Sequence, residues 1–154
     1  MSFWQVLLWQ LAWGLVETLK ILAVAGPLSV AFGILLGVAR VYGGRVLAWL
    51  VEFFTIIFRG FPLVVTLLLF FYGLPEVGVY LPPFWVAVWA FALCSASYQS
   101  EYVRGSILAV DEGQVLAARA LGMRKTQEVL YVVLPQALRT AIPAMSNEII
   151  SVSY

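Results

Sequence analysis

The chain has 154 residues, of which 63% are hydrophobic and 11% are charged, and its formal net charge is +1. A soluble domain has roughly a quarter charged residues and about half apolar ones, and a domain this short still exposes much of its surface to water. The composition therefore excludes an ordinary soluble domain and indicates an integral membrane protein, and without a Lys/Arg-rich run it gives no sign of a nucleic-acid partner.

The first membrane span is predicted over residues 15–39. About 20 apolar residues at 1.5 Å each cross a hydrocarbon layer of about 30 Å, and the second half of this segment contains no charge. Gly26-Pro27 lies inside the segment, so we expect a kink there. Gly33 and Gly37 form a GxxxG pair, which is a weak signal that another helix packs closely against this one.

The next apolar segment is interrupted by a helix break. Arg59, Gly60 and Pro62 mark this break, which we interpret as a cytoplasmic feature rather than a substrate contact. It separates a partly polar helix at the membrane interface from a second span over residues 61–80. The third span is predicted over residues 84–104, because a Pro-Pro pair just before it suits the first turn of a helix.

Residues 110–135 carry more charge and are predicted to lie outside the membrane as two short helices joined by a tight turn. Asp111 is a suitable N-cap for the first helix, and Gly122 supplies the left-handed position that ends many helices. The second helix is predicted to end before Pro135, and a fourth span follows over residues 136–154. A thin helical elbow of this kind suits insertion into a groove of another protein, although a simple surface loop fits the same spacing.

The basic residues predict the orientation of the spans. The loop between spans two and three contains no Lys or Arg, whereas basic residues follow spans one and three. The positive-inside rule then places these two basic loops in the cytoplasm and the N-terminus outside. Two loops separated by two spans must share one side of the membrane, and the basic residues that agree with this requirement are Arg40, Arg45, Arg104, Arg119, Arg124 and Lys125.

Polar residues inside the predicted spans are functional candidates, because polar groups are costly in a membrane. They are Ser95, Tyr98, Glu101, Arg104, Asn147 and Glu148. Glu101 and Arg104 lie three residues apart on one helix face, which favours an internal ion pair over a gate or pathway role. Ser95 and Tyr98 could line a polar pathway, although hydrogen bonds between helices are the favoured interpretation. Glu148 is the best candidate for a charge that faces the pathway.

The extramembrane segment resembles the EAA loop of permeases from ATP-binding-cassette (ABC) importers. That motif reads Glu-Ala-Ala, three residues, Gly, nine residues, Ile, one residue and Leu-Pro, and this chain matches its spacing with Leu116-Ala117-Ala118, Gly122, Val132 and Leu134-Pro135. The segments similar to the polar amino-acid branch of that family are Val51-Glu52-Phe53-Phe54, Arg59-Gly60-Phe61-Pro62, Phe71-Tyr72-Gly73-Leu74-Pro75, Tyr98 with Glu101 and Arg104, and Asn147-Glu148. The resemblance covers the chain from about residue 14 to its end.

This resemblance implies an all-α integral membrane protein, a polytopic bundle of about four transmembrane helices with a cytoplasmic two-helix coupling loop. Residues 14–154 would form an incomplete type-1 transmembrane domain, because the family has five spans and this chain stops within the fourth. The residues implied to couple to an ATPase are Leu116, Ala117, Ala118, Arg119, Gly122, Leu134 and Pro135. Leu116 replaces the Glu of the motif, so docking has to rest on shape, the small residues and Arg119.

The resemblance further implies import of polar amino acids across the plasma (inner) membrane. The implied partners are two ATP-binding subunits, a second permease subunit that is identical or related, an extracytoplasmic solute-binding protein and membrane lipid. The 154 residues contain no GxxxxGK[ST] phosphate cradle, no His and only one Cys, so we expect no ATP hydrolysis, cofactor or metal site in this chain. Two alternatives remain, a type-1 permease for another small solute and a non-transporting membrane partner protein.

Overall fold

The computed structural model describes residues 3–151, and nearly all of them are helical, with no strand in this range. The helices are α1 (Phe3–Tyr42), α2 (Gly44–Gly60), α3 (Leu63–Glu76), α4 (Pro83–Leu108), α5 (Glu112–Ala120) and α6 (Lys125–Ser151). The predicted all-α bundle is therefore confirmed.

Helix α4 is the centre of the bundle and packs against α1, α2, α3 and α6. On α1, a Cβ atom added at Gly33 would lie 2.6 Å from the Cβ of Gln99, and one added at Gly37 would lie 2.8 Å from the Cβ of Val103. The GxxxG pair, a weak signal in the sequence, thus marks a close approach of α1 to α4, in which the glycines leave room for the side chains of Gln99 and Val103.

A second part of the core joins α4 to α6. Ala137, Ala141 and Met145 recur at every fourth position of α6 and pack with Val103 and Ile107 of α4. This spacing places the three side chains on one helical face. The contact holds α6, and with it the segment that precedes it, against the centre of the bundle.

Helix α1 has 40 residues and is about 60 Å long, twice the hydrocarbon thickness of about 30 Å. It therefore extends beyond the predicted span over residues 15–39, and it continues through Pro27 without ending. The kink expected at that proline stays a prediction. The N-terminal part of α1 exposes Trp4, Trp9 and Trp13, residues that are typical of a membrane–water interface.

Two of the described helices, α1 and α6, are long and apolar enough to cross a membrane, and a third crossing is reached if α2 and α3, bent by 102°, form one broken span. Helix α4, which contains the predicted span over residues 84–104, does not meet this criterion. Its polar side chains, among them Ser97, Gln99 and Ser100, are buried by neighbouring helices, so this part of α4 need not be apolar to avoid lipid. The four-span arrangement stays a prediction.

The predicted helix break is present, since α2 ends at Gly60 and α3 begins directly after Pro62. Helix α3 ends earlier than the predicted span over residues 61–80. The reason is Gly78, which adopts a φ of +84°, a left-handed conformation that continues no helix and that glycine reaches without strain.

One predicted boundary is wrong, because the second helix of the elbow does not end before Pro135. Helix α6 contains Pro135 in its interior, so it merges the predicted helix with the predicted span over residues 136–154, of which residues 152–154 lie outside the described range. Proline normally ends a helix because it lacks an N–H and its ring collides with the preceding turn. Here Glu128–Val133 form a wider π-helical turn just before it, which lets the helix continue.

Candidate functional site

The second helix of the predicted elbow is part of α6, so the name elbow is kept below for residues 111–124 alone. The elbow has a cap at each end of α5. A carboxylate oxygen of Asp111 accepts a hydrogen bond from the backbone N–H of Gly113 at 2.7 Å, as expected for an N-cap. At the other end Gly122 has a φ of +77°, and the N–H groups of Gly122 and Met123 donate to carbonyls of the last turn at 2.9 and 3.2 Å. These two bonds form a Schellman motif, so both predicted helix ends are confirmed.

An ion pair ties α5 to the start of α6 across this turn. Arg119 donates through Nε and Nη2 to the two carboxylate oxygens of Glu128 at 2.8 and 3.2 Å. Glu128 is only 3% exposed although it is an acidic residue, and it belongs to a chain segment rich in apolar residues. The hydrogen bonds to Glu128 hold the pKa of the Arg119 guanidinium above its ordinary value, so the pair stays charged. This two-point contact fixes the angle of the elbow.

The predicted coupling residues divide between two surfaces. Leu116 and Ala117 are exposed on α5, whereas Ala118 is buried against the neighbouring helix. Leu134 is half-buried and Pro135 is exposed, and both lie within α6 beyond the π-helical turn. Their role in coupling to an ATPase stays a prediction.

The elbow lies at the same end of the bundle as the C-terminus of α1. The Nζ atom of Lys125 lies 5.8 Å from the ring centre of Tyr42, at the end of α1. Close by, Arg40 of α1 is paired with Glu101 of α4. The two loops that were predicted to share one side of the membrane therefore share one end of the molecule.

Glu101 is the centre of a cluster of arginines from three helices. The predicted pair is present, since Nη2 of Arg104 lies 3.0 Å from Oε2 of Glu101. The two other arginines could not be predicted from spacing, because they come from distant segments. Arg40 bonds to Oε1 of Glu101, and Nη1 of Arg59 lies 4.0 Å from the same oxygen. A second carboxylate, that of Glu52, lies 3.2 Å from Arg40. The cluster joins α1, α2 and α4 at the basic end of the bundle.

The polar residues near the middle of α4 make hydrogen bonds between helices. The side-chain amide of Gln99 donates to the hydroxyl oxygens of Ser95 at 3.0 Å and of Ser29, on α1, at 2.9 Å. All three side chains are buried. The favoured interpretation of Ser95 thus agrees with its contacts, while a role in a solute pathway stays a prediction.

An open cleft of about 830 Å³ lies between the helix break, α4 and α6. Five of the predicted site residues line it: Arg59, Gly60, Pro62, Tyr98 and Glu148. The aromatic rings of Phe58, Phe61 and Phe91 also line the cleft. Ser95, Glu101, Arg104 and Asn147 are not among its lining residues.

The two charges of the cleft are held by tyrosines of α4. Glu148 is 8% exposed and accepts a hydrogen bond from the hydroxyl of Tyr102 at 3.3 Å. The guanidinium carbon of Arg59 lies 5.1 Å from the ring centre of Tyr98, a cation–π contact. The lining of the cleft thus contains one acidic and one basic side chain among mostly apolar residues. Within residues 3–151 no group of three His, Cys, Asp or Glu side chains is placed to hold a metal ion.

Comparison with protein families gives one match, which covers most of the chain. The family described as "binding-protein-dependent transport system inner membrane component" matches residues 29–153. The chain is 40% identical over 141 residues to the arginine transport system permease protein ArtQ of Bacillus subtilis (strain 168), and 36% identical over 150 residues to the L-cystine transport system permease protein TcyB of the same organism. These matches cover 91% and 97% of this chain, but 64% and 62% of the relatives. The chain thus spans less than two thirds of their length.

Two solved structures have a similar fold. The first is a crystal structure of an amino acid ABC transporter with histidines, which has a TM-score of 0.83 and 33% identity and is matched over 99% of this chain and 72% of that one. The second is the MetNI methionine ABC transporter in an inward-facing conformation, with a TM-score of 0.80, 25% identity and coverage of 99% and 73%.

Proposed function

The chain belongs to the family of binding-protein-dependent transport system inner membrane components, and we propose that it is a permease subunit of an ABC importer for polar amino acids. ATP is hydrolysed on partner subunits, and the amino acid moves into the cytoplasm. The observation that carries this proposal is the elbow, which is capped at Asp111 and Gly122 and fixed to α6 through Arg119 and Glu128.

A fixed elbow is suited to transmit force. The ion pair and the Schellman motif leave little freedom to the angle between α5 and α6, so a force on α5 also moves α6. Helix α6 in turn packs along α4. An ATP-driven movement at the elbow can therefore bias the bundle between two states, which is what coupling between distant sites requires. This chain would need two ATP-binding subunits, a second permease subunit that is identical or related, and an extracytoplasmic binding protein that delivers the solute.

The positive-inside rule supports a cytoplasmic elbow and an N-terminus outside the plasma (inner) membrane. Arg40, Arg104 and Lys125 all lie at the end of the bundle that carries the elbow. An ATP-binding subunit can reach the elbow only from that side.

The cleft supports a zwitterionic solute. Glu148 and Arg59 offer opposite charges to an ammonium and a carboxylate group, and Phe58, Phe61 and Phe91 offer contacts to the side chain. The sequence alone did not favour a substrate contact for Arg59, and its position in the lining of the cleft is the reason to propose one. ArtQ and TcyB are named as permeases for arginine and L-cystine, which agrees with this solute class. A permease of the same type for another small solute remains the alternative.

Transport by the full-length gene product tests the proposal. Proteoliposomes that contain the permease, its ATP-binding subunit and its binding protein should accumulate a labelled polar amino acid only with internal ATP. Gly122→Val, which forces a β-branched residue into a left-handed conformation, should abolish ATP-driven uptake. Gly105→Val is the matched control, because Gly105 is exposed and a Cβ atom added there meets nothing within 4 Å. Uptake of sugars or oligopeptides alone would exclude the solute class, and wild-type uptake by Gly122→Val would exclude the elbow as the coupling element.

A further inference from the structure

One face of α5 is both apolar and exposed. Its residues follow the spacing i, i+3, i+4, i+7 and i+8, which places them on a single side of a helix and of the turn that ends it. Leu116 is 54% exposed and Leu121 is 83% exposed, and the stripe residues between them, Ala117 and Ala120, are small. We call this face the apolar stripe; it consists of Gly113, Leu116, Ala117, Ala120 and Leu121.

The apolar stripe has no ionisable group, and the cation beside it, Arg119, is paired within the chain. Glu112 and Arg119 lie seven residues apart and therefore share one flank of α5. Arg119 is engaged by both oxygens of Glu128, and the charge of Glu112 further stabilises its ionised form. An anionic group on a partner that faced the stripe would therefore find no free cation there, and Glu112 lies at the edge of the stripe and not within it.

We propose that the apolar stripe seats in an uncharged, apolar groove of the ATP-binding subunit, with Leu116 as its anchor and no ion pair at that position. The inference rests on the proposed function and names the chemistry of the partner surface. A helix lined by alanine and glycine can approach a groove closely, and the two leucines supply most of the apolar area to be buried. In the EAA motif that the chain resembles, a glutamate stands in place of Leu116, so this chain would require a different groove.

A membrane surface is a poorer occupant for the apolar stripe. Helices that lie on a bilayer carry Trp or Phe on the apolar face and free Lys or Arg beside it. The stripe has no aromatic residue, and the one cation on the adjacent flank, Arg119, is paired with Glu128. An apolar protein groove requires neither feature.

Binding of purified ATP-binding subunits from the source organism's amino-acid importers to the detergent-solubilised full-length permease tests this inference. For the subunit that binds, Kd should change by less than about threefold between 50 and 500 mM NaCl, because an apolar contact is not screened by salt. Leu116→Glu should raise Kd by about tenfold or more, because it buries an unpaired carboxylate. Thr126→Glu adds the same charge to an exposed position outside the stripe, at the start of α6, and should leave Kd within about twofold of the wild-type value.

The outcomes separate the inference from the proposed function. If no ATP-binding subunit binds the wild-type permease, the proposed function fails and the inference fails with it. If a subunit binds but Leu116→Glu binds as tightly as wild type or more tightly, the proposed function stands, and docking of the stripe in an apolar groove is excluded. Leu116→Met, which preserves apolar character, should bind like wild type, and circular dichroism of each variant checks that the helices are intact. If spin-labelled lipid quenches a fluorophore attached to the cysteine of Leu116→Cys, the stripe lies on the membrane. This result would also exclude docking of the stripe in an apolar groove.

Discussion

The packing of α1 on α4 predicts opposite effects of the same substitution at two glycines. Gly33→Ala places a methyl group 2.6 Å from the Cβ of Gln99 and 3.4 Å from two backbone atoms, and neither helix can yield without moving its backbone. Overpacking of this kind costs about 1–3 kcal/mol, whereas alanine gains up to about 1 kcal/mol of helix propensity over glycine. We expect a net loss of about 1–2 kcal/mol in the free energy of unfolding.

Gly105→Ala is the matched control for Gly33→Ala. It lies inside α4, where an added Cβ meets nothing within 4 Å, so only the propensity gain of up to about 1 kcal/mol remains. Unfolding of both variants in mixed micelles, as a function of the mole fraction of SDS, measures the difference. If the two substitutions shift stability in the same direction and by similar amounts, the contact between the α1 and α4 backbones is not present in the membrane.

Three further predictions concern the elbow and the cleft. Glu128→Gln removes the charge that holds Arg119, so trypsin should cleave within the elbow several-fold faster than in the control Glu112→Gln. Glu148→Gln should lower uptake by about tenfold or more, because a hydrogen bond to a charged group contributes about 1.5–3 kcal/mol, whereas Glu76→Gln, outside the cleft, should not. Pro135→Ala lets the π-helical turn revert to an α-helix, which rotates the elbow by about 100° relative to the part of α6 that follows this turn. Transport should fall, while the free energy of unfolding is kept or raised.

The features that the sequence predicted correctly depend on local chemistry. The helix break needs only the properties of Gly60 and Pro62, and the ends of α5 need only an N-cap at Asp111 and a left-handed residue at Gly122. In each case the residues that decide the conformation lie within one turn of the place where it changes. Such features can be read from a single sequence.

The arginine cluster and the ion pair of the elbow depend instead on contacts between distant segments. Arg40 and Arg59 reach Glu101 only because α1 and α2 pack against α4, and no spacing rule relates these three positions. Glu128 gave a partial signal, since an acidic residue next to an apolar run needs a buried partner. Its distance from Arg119, nine residues across a turn, hid the identity of that partner.

The prediction that a helix ends before Pro135 was wrong because a proline can either end a helix or lie inside one. The usual rule ends the helix before it, but a π-helical turn on its N-terminal side lets the helix continue. The same arrangement occurs in α3, where Leu69–Gly73 are π-helical just before Leu74-Pro75. The span predicted over residues 84–104 stays a prediction, because α4 contains polar residues that lower its hydropathy although neighbouring helices cover them.

The location of the elbow is the claim on which the whole account depends. A cysteine introduced by Gln114→Cys is exposed on α5, and Cys94, the one cysteine of these 154 residues, is buried. With any cysteine outside these residues replaced by serine, a membrane-impermeant maleimide reports the elbow alone. A cytoplasmic elbow predicts rapid labelling in inside-out membrane vesicles and none in intact cells. Labelling in intact cells would put the elbow outside the cytoplasm, where no ATP-binding subunit can reach it, and would contradict the proposed function.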